Sequence, residues 1–179
     1  IFYSSPFTSF LAMLSISYGS LVSFGGIFAG LFIAWVFLKA RKEPVRKWFD
    51  IGIIGLFVGW AFGRIGCLLN GDSLGILSKS KIAIWGHLPT QIFESLWSVM
   101  IAILCFWLLR KKADLKLPDG IIFWIGMGSY GLGRFIIDFF IDENKIFFFL
   151  KPGQIGSLVI LIIAIIVIYF TMKAERKEV

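Results

Sequence analysis

Arg64, Glu94 and Arg134 each fall inside a long apolar stretch of this 179-residue chain. A charged side chain within a lipid-spanning helix is costly and by default marks a functional site. Arginine grips phosphate and carboxylate oxygens with paired, charge-assisted hydrogen bonds. The chemistry these residues suit is therefore the holding of an anionic group. Asn70, Asp72, His87, Gln91 and Asp138 add polar side chains near the ends of the same stretches. Cys67 and Cys105 form neither a disulfide framework nor a metal-ligand spacing, so no metal and no cofactor are expected.

The elements that position these residues are membrane helices. The chain is 58% hydrophobic and only 16% charged, and several apolar runs approach the roughly 20 residues a helix needs to cross a bilayer. Strand-period alternation is absent, which argues against a membrane barrel. The reading is an all-α, polytopic membrane helix bundle. Residues 1–19 are broken by Ser4, Ser5, Pro6 and Gly19 and read as an external arm or interfacial segment. The transmembrane bundle covers 20–172, with spans at about 20–39, 48–69, 91–109, 120–141 and 153–172, and residues 173–179 form a charged cytoplasmic tail. The connection Asp142 to Pro152 is polar at its ends with an aromatic centre, Phe147 to Phe149. The chain opens at Ile1 inside an irregular segment, so native sequence upstream is expected.

The net charge of +7 does not point to nucleic acid, because the basic residues sit in short connections between apolar runs. Twelve Lys and Arg, from Lys39 to Lys47, Arg110 to Lys116 and Lys173 to Lys177, fall on one side. Four, at Lys79, Lys81, Lys145 and Lys151, fall on the other. The richer side is cytoplasmic by the positive-inside rule, which gives five crossings with an external start and a cytoplasmic C-terminus. Gly55, Gly59 and Gly63, with Gly26 and Gly30, recur every four residues, a spacing that lets helix backbones approach closely in lipid.

A helix rises about 1.5 Å per residue, which places Arg64 and Arg134 about 21 Å and Glu94 about 22 Å above the inner ends of their spans. The three charges share one layer in the outer third of a core about 30 Å thick. One arginine–glutamate pair at that depth could serve burial alone, and Arg134 and Asp138, four apart, could neutralise each other. Two arginines with a polar rim at one depth favour a site for a phospholipid headgroup. An anion transporter or channel also carries intramembrane arginines. It would need a polar path to both faces, whereas the inner halves, such as Ile51 to Phe57 and Ile101 to Leu109, are apolar.

These residues also carry a family resemblance. Gly63-Arg64-Ile65-Gly66-Cys67-Leu68-Leu69-Asn70-Gly71-Asp72 resembles the Gly-Arg-x-Gly-Asn-Phe-x-Asn-x-Glu pattern of prolipoprotein diacylglyceryl transferases. Ser23-Phe24-Gly25-Gly26 resembles that family's His-Gly-Gly segment, and Leu88-Pro89-Thr90-Gln91-Ile92-Phe93-Glu94 its Pro-Ser/Thr-Gln-Leu-Tyr-Glu segment. Tyr130 to Phe140 resembles its Tyr-Gly-x-x-Arg-Phe-x-x-Glu-Phe-x-Arg segment, and Gly153-Gln154-Ile155-Gly156-Ser157 the Gly-Gln-x-x-Ser that opens its last helix. Some positions depart from the pattern in ways that bear on chemistry. Phe24 stands for histidine or tyrosine, Cys67 for asparagine, Asp72 for glutamate and Phe93 for tyrosine.

The resemblance implies a seven-helix bundle, of which five helices are visible here, in the bacterial cytoplasmic membrane with its site facing the outer leaflet. It implies transfer of the diacylglyceryl group of phosphatidylglycerol to the lipobox cysteine of a prolipoprotein, with glycerol phosphate leaving. A lipid-binding member without catalysis is the other outcome that Phe24 allows. The expected catalytic residues are Arg64, Arg134 and Asp72: the arginines for the leaving phosphate, and Asp72 as a polar or basic partner for the thiol. Gly66, Asn70, Gln91 and Glu94 join both arginines in substrate binding, with Gln91 and Glu94 positioning the guanidinium groups. The partners implied are phosphatidylglycerol, the prolipoprotein signal peptide and the bilayer, and no nucleic acid. His87, the only histidine, could act as a base, although a lone loop histidine is more often simply solvated.

Overall fold

The computed structural model describes residues 22–72, 75–141 and 150–178. The expected arm at 1–19, the side chain of Phe24 and the aromatic centre Phe147 to Phe149 lie outside the described residues. The chain divides into two compact units, Ile1–Val45 and Arg46–Val179.

In the first unit, helix α1 runs from Val22 to Ala40. Large apolar side chains such as Phe32, Ile33 and Phe37 are exposed along it. It ends in a Schellman closure, with Lys42 left-handed at φ 57° and the Glu43 and Lys42 amides returning to Leu38 O and Lys39 O. Pro44 then prevents continuation.

The second unit holds α2 (Val45–Asn70), α3 (Thr90–Arg110), α4 (Ile121–Ile137), a 3₁₀ turn (Asp138–Phe140) and α5 (Pro152–Glu178). Among the described residues there is no strand, only the isolated bridges Gly75–Ile141, Leu77–His87 and Ile84–His87. Three described helices, Val45–Asn70, Thr90–Arg110 and Gly153–Glu175, are long and apolar enough to cross a membrane. Two boundaries differ from expectation. The stretch expected as one span at 120–141 is a 17-residue helix followed by the 3₁₀ turn. The expected tail at 173–179 continues α5 as far as Glu178, because its residues are good helix formers with no breaker among them.

The buried face of α3 explains the internal layering. Its N-terminal half buries Thr90, Gln91, Glu94, Ser95 and Ser98, and its C-terminal half Ile101, Ala102 and Cys105. The latter join Ile53 and Phe57 of α2 and Ile121 and Ile122 of α4 in an apolar core. Of the polar residues, Ser95 Oγ donates across to Ala61 O of α2 at 3.0 Å and Ser98 Oγ to Glu94 O one turn back at 2.8 Å.

Close helix approach falls on α4, not on the glycine stripe of α2. A methyl group on Gly133 would lie 1.9 Å from Trp97 Nε1, and one on Gly131 2.7 Å from Ser157 O. Among the described residues, Gly55, Gly59 and Gly63 have nothing within 4 Å. Spacing alone shows that a glycine face exists; only the packing shows which face a neighbour uses.

Near the N-terminal end of α2, Asp50 is fully buried. Its carboxylate accepts the Gly120 and Phe123 amides, each at 2.9 Å. A side chain from another helix thereby caps α4, whose preceding residue Gly120 is left-handed at φ 90°. Lys112 Nζ donates to Asp50 Oδ2 at 2.8 Å and to Asp119 Oδ1 at 2.5 Å. Burial works against the Lys112 ammonium, but the bonds from Asp119 and Asp50 outweigh it and hold its pKa above the ordinary lysine value.

Candidate functional site

Glu94 lies at the centre of the charged layer and is only 4% exposed. Its Oε2 meets Arg64 Nε at 2.6 Å, and its Oε1 accepts from Arg134 Nη1. Arg134 Nε reaches Asp138 Oδ1 at 3.0 Å, one turn further along α4. The three charges placed at one depth from the sequence are therefore in contact. Among the described residues the layer holds two cations and two anions, because Asp138, counted only as part of the rim, is fully buried beside Arg134.

The two arginines are oriented differently. Arg64 uses Nε on Glu94, its guanidinium carbon lies 5.1 Å from the centre of the Trp60 ring, and Trp60 packs edge-on against Tyr130 at 5.5 Å. Trp60 is one turn below Arg64, so the ring flanks the guanidinium while Glu94 fixes its Nε edge. Nη1 and Nη2 of Arg64 have no protein hydrogen bond among the described residues. That pair of parallel donors matches two oxygens of a phosphate. Arg134 is held by carboxylates of two elements, Glu94 on α3 and Asp138 at the 3₁₀ turn.

Asn70, Asp72 and Gln91 form a second group. The helix α2 ends in another Schellman closure, in which Gly71 is left-handed at φ 76° and the Asp72 and Gly71 amides return to Cys67 O and Leu68 O. That closure fixes Asp72 just past the helix end, where Asn70 Nδ2 donates to Asp72 Oδ2 at 2.6 Å. Gln91 Nε2 donates to Asp72 O, also at 2.6 Å. Gln91 and Glu94 are three residues apart on one face of α3, about 4.5 Å along the axis. One helix edge thus holds the main chain at Asp72 and both arginines. Asp72 itself is exposed, and among the described residues no bond joins it to either guanidinium. Gly66 is exposed with nothing within 4 Å of its missing Cβ.

His87 is built into the outer loop. Its Nδ1 lies 2.7 Å from Gly75 O, and a carbonyl only accepts, so Nδ1 carries the proton. Gly75 has no room for a side chain: a methyl group there would fall 2.3 Å from Leu88 O. Trp60, Lys151 and the capping role of Asp50 were not legible as parts of this arrangement. For Trp60 the available signal was its position four residues before Arg64.

A profile of the prolipoprotein diacylglyceryl transferase family matches residues 1–170. A Clostridium botulinum (strain Langeland) protein named phosphatidylglycerol–prolipoprotein diacylglyceryl transferase is 28% identical over 179 residues, covering 92% of this chain and 69% of its own length. Proteins of the same name from Streptococcus uberis and Chlorobaculum tepidum are 27% and 28% identical, covering 93% and 88% of this chain and 67% and 58% of their own lengths. The chain spans about two thirds of the length of the curated relatives it matches. The Arg64–Glu94–Arg134 contacts draw on three of the stretches that carry the family pattern, and the match runs through nearly the whole chain: it belongs to the prolipoprotein diacylglyceryl transferase family.

Proposed function

We propose that the protein transfers the diacylglyceryl group of phosphatidylglycerol to the lipobox cysteine of prolipoproteins, at the outer leaflet of the bacterial cytoplasmic membrane. The observation that carries this reading is the Arg64–Glu94–Arg134 cluster, with two parallel guanidinium donors of Arg64 left for a ligand. The lipid phosphate sits against Arg64, with Arg134 supplying the second positive charge. The thiol loses its proton, since thiolate is the nucleophile. Its sulfur attacks the glycerol carbon that bears the phosphate ester. The S–C bond forms as the C–O bond breaks, and the electron pair leaves on glycerol phosphate. Positive charge aimed at the departing phosphate lowers this barrier. Asp72, exposed at the end of α2, is the proposed proton acceptor, and Gln91 and Asn70 hold it. Gly66 leaves an uncovered backbone for the substrate to approach.

The five helices are read as crossings of a seven-helix bundle with a cytoplasmic C-terminus, in keeping with the positive charge on that side. The apolar core of Ile53, Phe57, Ile101 and Ile122 lies below the cluster. It favours a one-sided site over an anion path. The test is the full-length protein in phosphatidylglycerol vesicles with a lipobox peptide. The peptide gains one diacylglyceryl mass, and Arg64→Ala abolishes the gain. A folded, inserted protein that binds the lipid and leaves the peptide unmodified would overturn the reading in favour of a lipid-binding member.

A further inference from the structure

Lys151 directly precedes α5 and is only 7% exposed. A lysine at the end of a membrane helix ordinarily extends to the interface and keeps its ammonium in water. This one turns inward. Its Nζ donates to Asp138 O at 2.7 Å and to Ile141 O, and lies 3.5 Å from Phe139 O. These carbonyls belong to the 3₁₀ turn that closes α4 and to Ile141 directly after it, where the last carbonyls of a helix lack partners.

The main chain of Lys151 does a second job. Its carbonyl accepts the Gln154 and Ile155 amides, and its amide donates to Gln154 Oε1 at 3.0 Å. Lys151 is therefore the cap of α5, with Gln154 returning to it as in a capping box. A cation at this position faces the positive pole of its own helix. The side chain instead reaches the negative pole of α4. Asp138 makes the opposite exchange. It stands at the negative end of α4, and its carboxylate lies against the start of α5, where a methyl group on Gly153 would fall 2.1 Å from Oδ2. Each helix end is thus neutralised by a charge borne on the other.

Asp138 is also the carboxylate that holds Arg134 Nε at 3.0 Å. We propose that Lys151 is a positioning residue of the site, clamping the end of α4 so that Asp138 and, through it, Arg134 stay aimed at the ligand phosphate. This role rests on the transferase reading above. Lys151 touches no ligand and acts only through the turn that carries Asp138. Within the family pattern the segment Tyr130 to Phe140 has its own arginine and acidic residue, but no part of that pattern includes Lys151.

The experiment compares Lys151→Met and Lys151→Arg with the unaltered full-length protein in lipid nanodiscs. The assays are peptide modification with phosphatidylglycerol, and amide hydrogen exchange read by mass spectrometry. In Lys151→Met, kcat falls on the order of a hundredfold with KM for the lipid nearly unchanged, as misplacement of a catalytic group requires. Lys151→Arg, which keeps a cation with several donors, restores most of the rate. Exchange in Lys151→Met rises at residues 138–141 and stays at its original level in α2 and α3. Unaltered kcat in Lys151→Met overturns the proposal. So does a loss that Lys151→Arg shares and that tracks the folded fraction, since that is a purely structural role. Should the unaltered protein modify no peptide, the transferase reading fails separately. The exchange at 138–141 then still decides whether Lys151 clamps this turn, and unchanged protection overturns the clamp.

Discussion

Replacing Glu94 with glutamine removes one negative charge from a buried set of four and keeps the side-chain volume. Arg134 retains Asp138 at 3.0 Å. Arg64 retains only the flanking Trp60 ring among the groups it is seen to touch. One ion pair is therefore broken with its cation left buried, which costs about 3–5 kcal/mol. Folded domains have about 5–15 kcal/mol in reserve, so the variant folds but unfolds earlier. Replacing Arg64 as well, in Arg64→Leu/Glu94→Gln, leaves one cation and one anion. Exchanging a buried pair for apolar or neutral groups is often close to neutral in stability. The double variant is expected to recover about 2–3 kcal/mol relative to Glu94→Gln, the coupling energy of a contacting pair.

Activity follows the opposite rule. Loss of one aimed donor at the developing charge costs about 10²–10³ in kcat, and neither variant has an aimed Arg64. Stability should therefore return in the double variant while transfer does not. Equilibrium unfolding of the full-length protein in mixed micelles, alongside peptide modification, measures both quantities. A double variant no more stable than Glu94→Gln would refute the charge count. A Glu94→Gln protein as stable as the original would show that Glu94 does not hold a buried cation.

Two further perturbations address the scaffold. Gly133→Ala forces a methyl group into the Trp97 ring, whose Nε1 also donates to Ser129 O at 3.0 Å; overpacking of this kind costs about 1–3 kcal/mol or more, whereas Gly59→Ala meets nothing and should gain up to about 1 kcal/mol from helix propensity. Thermal unfolding of the two variants should shift in opposite directions. Asp50→Ala removes the acceptor of two α4 amides and of Lys112, with an expected loss of about 1.5–3 kcal/mol for a charged hydrogen bond, more if the amides remain buried. Because the Lys112 pKa is raised in the folded protein, its stabilisation is complete below the ordinary lysine value of about 10.4. It is lost as pH rises through the raised value. The melting temperature should fall in that alkaline range, and Lys112→Met should flatten the fall.

How far the sequence reaches depends on the kind of contact. Arg64, Glu94 and Arg134 were legible together because helices convert residue number into depth, and an apolar span makes each charge conspicuous. Depth does not give azimuth. The glycines at 55, 59 and 63 have helical spacing but meet no neighbour among the described residues, while Gly131 and Gly133 of α4 carry the close approaches. Which glycine face meets a neighbour is decided by side chains such as Trp97, far away in sequence. The capping of α4 by Asp50 and of its far end by Lys151 is equally long-range. Asp50 reads locally as the start of a span, and Lys151 as one of four charges in the outer connections.

Asp138 shows what that missing information changes. Counted by depth it lies above the layer; in the fold it is buried and bonded to Arg134. An excess of arginine over glutamate is thereby replaced by charge balance. A balanced cluster does not attract a phosphate through net charge. What it can offer is direction: carboxylates hold Nε of both arginines, so that in the proposed reaction the remaining Arg64 donors are already set when the ligand arrives. Preset donors of this kind require little reorganisation when charge develops on the leaving group. The acidic residues of the cluster are then part of the proposed phosphate site, because without them the arginines would be neither tolerated in the bundle nor held in one orientation.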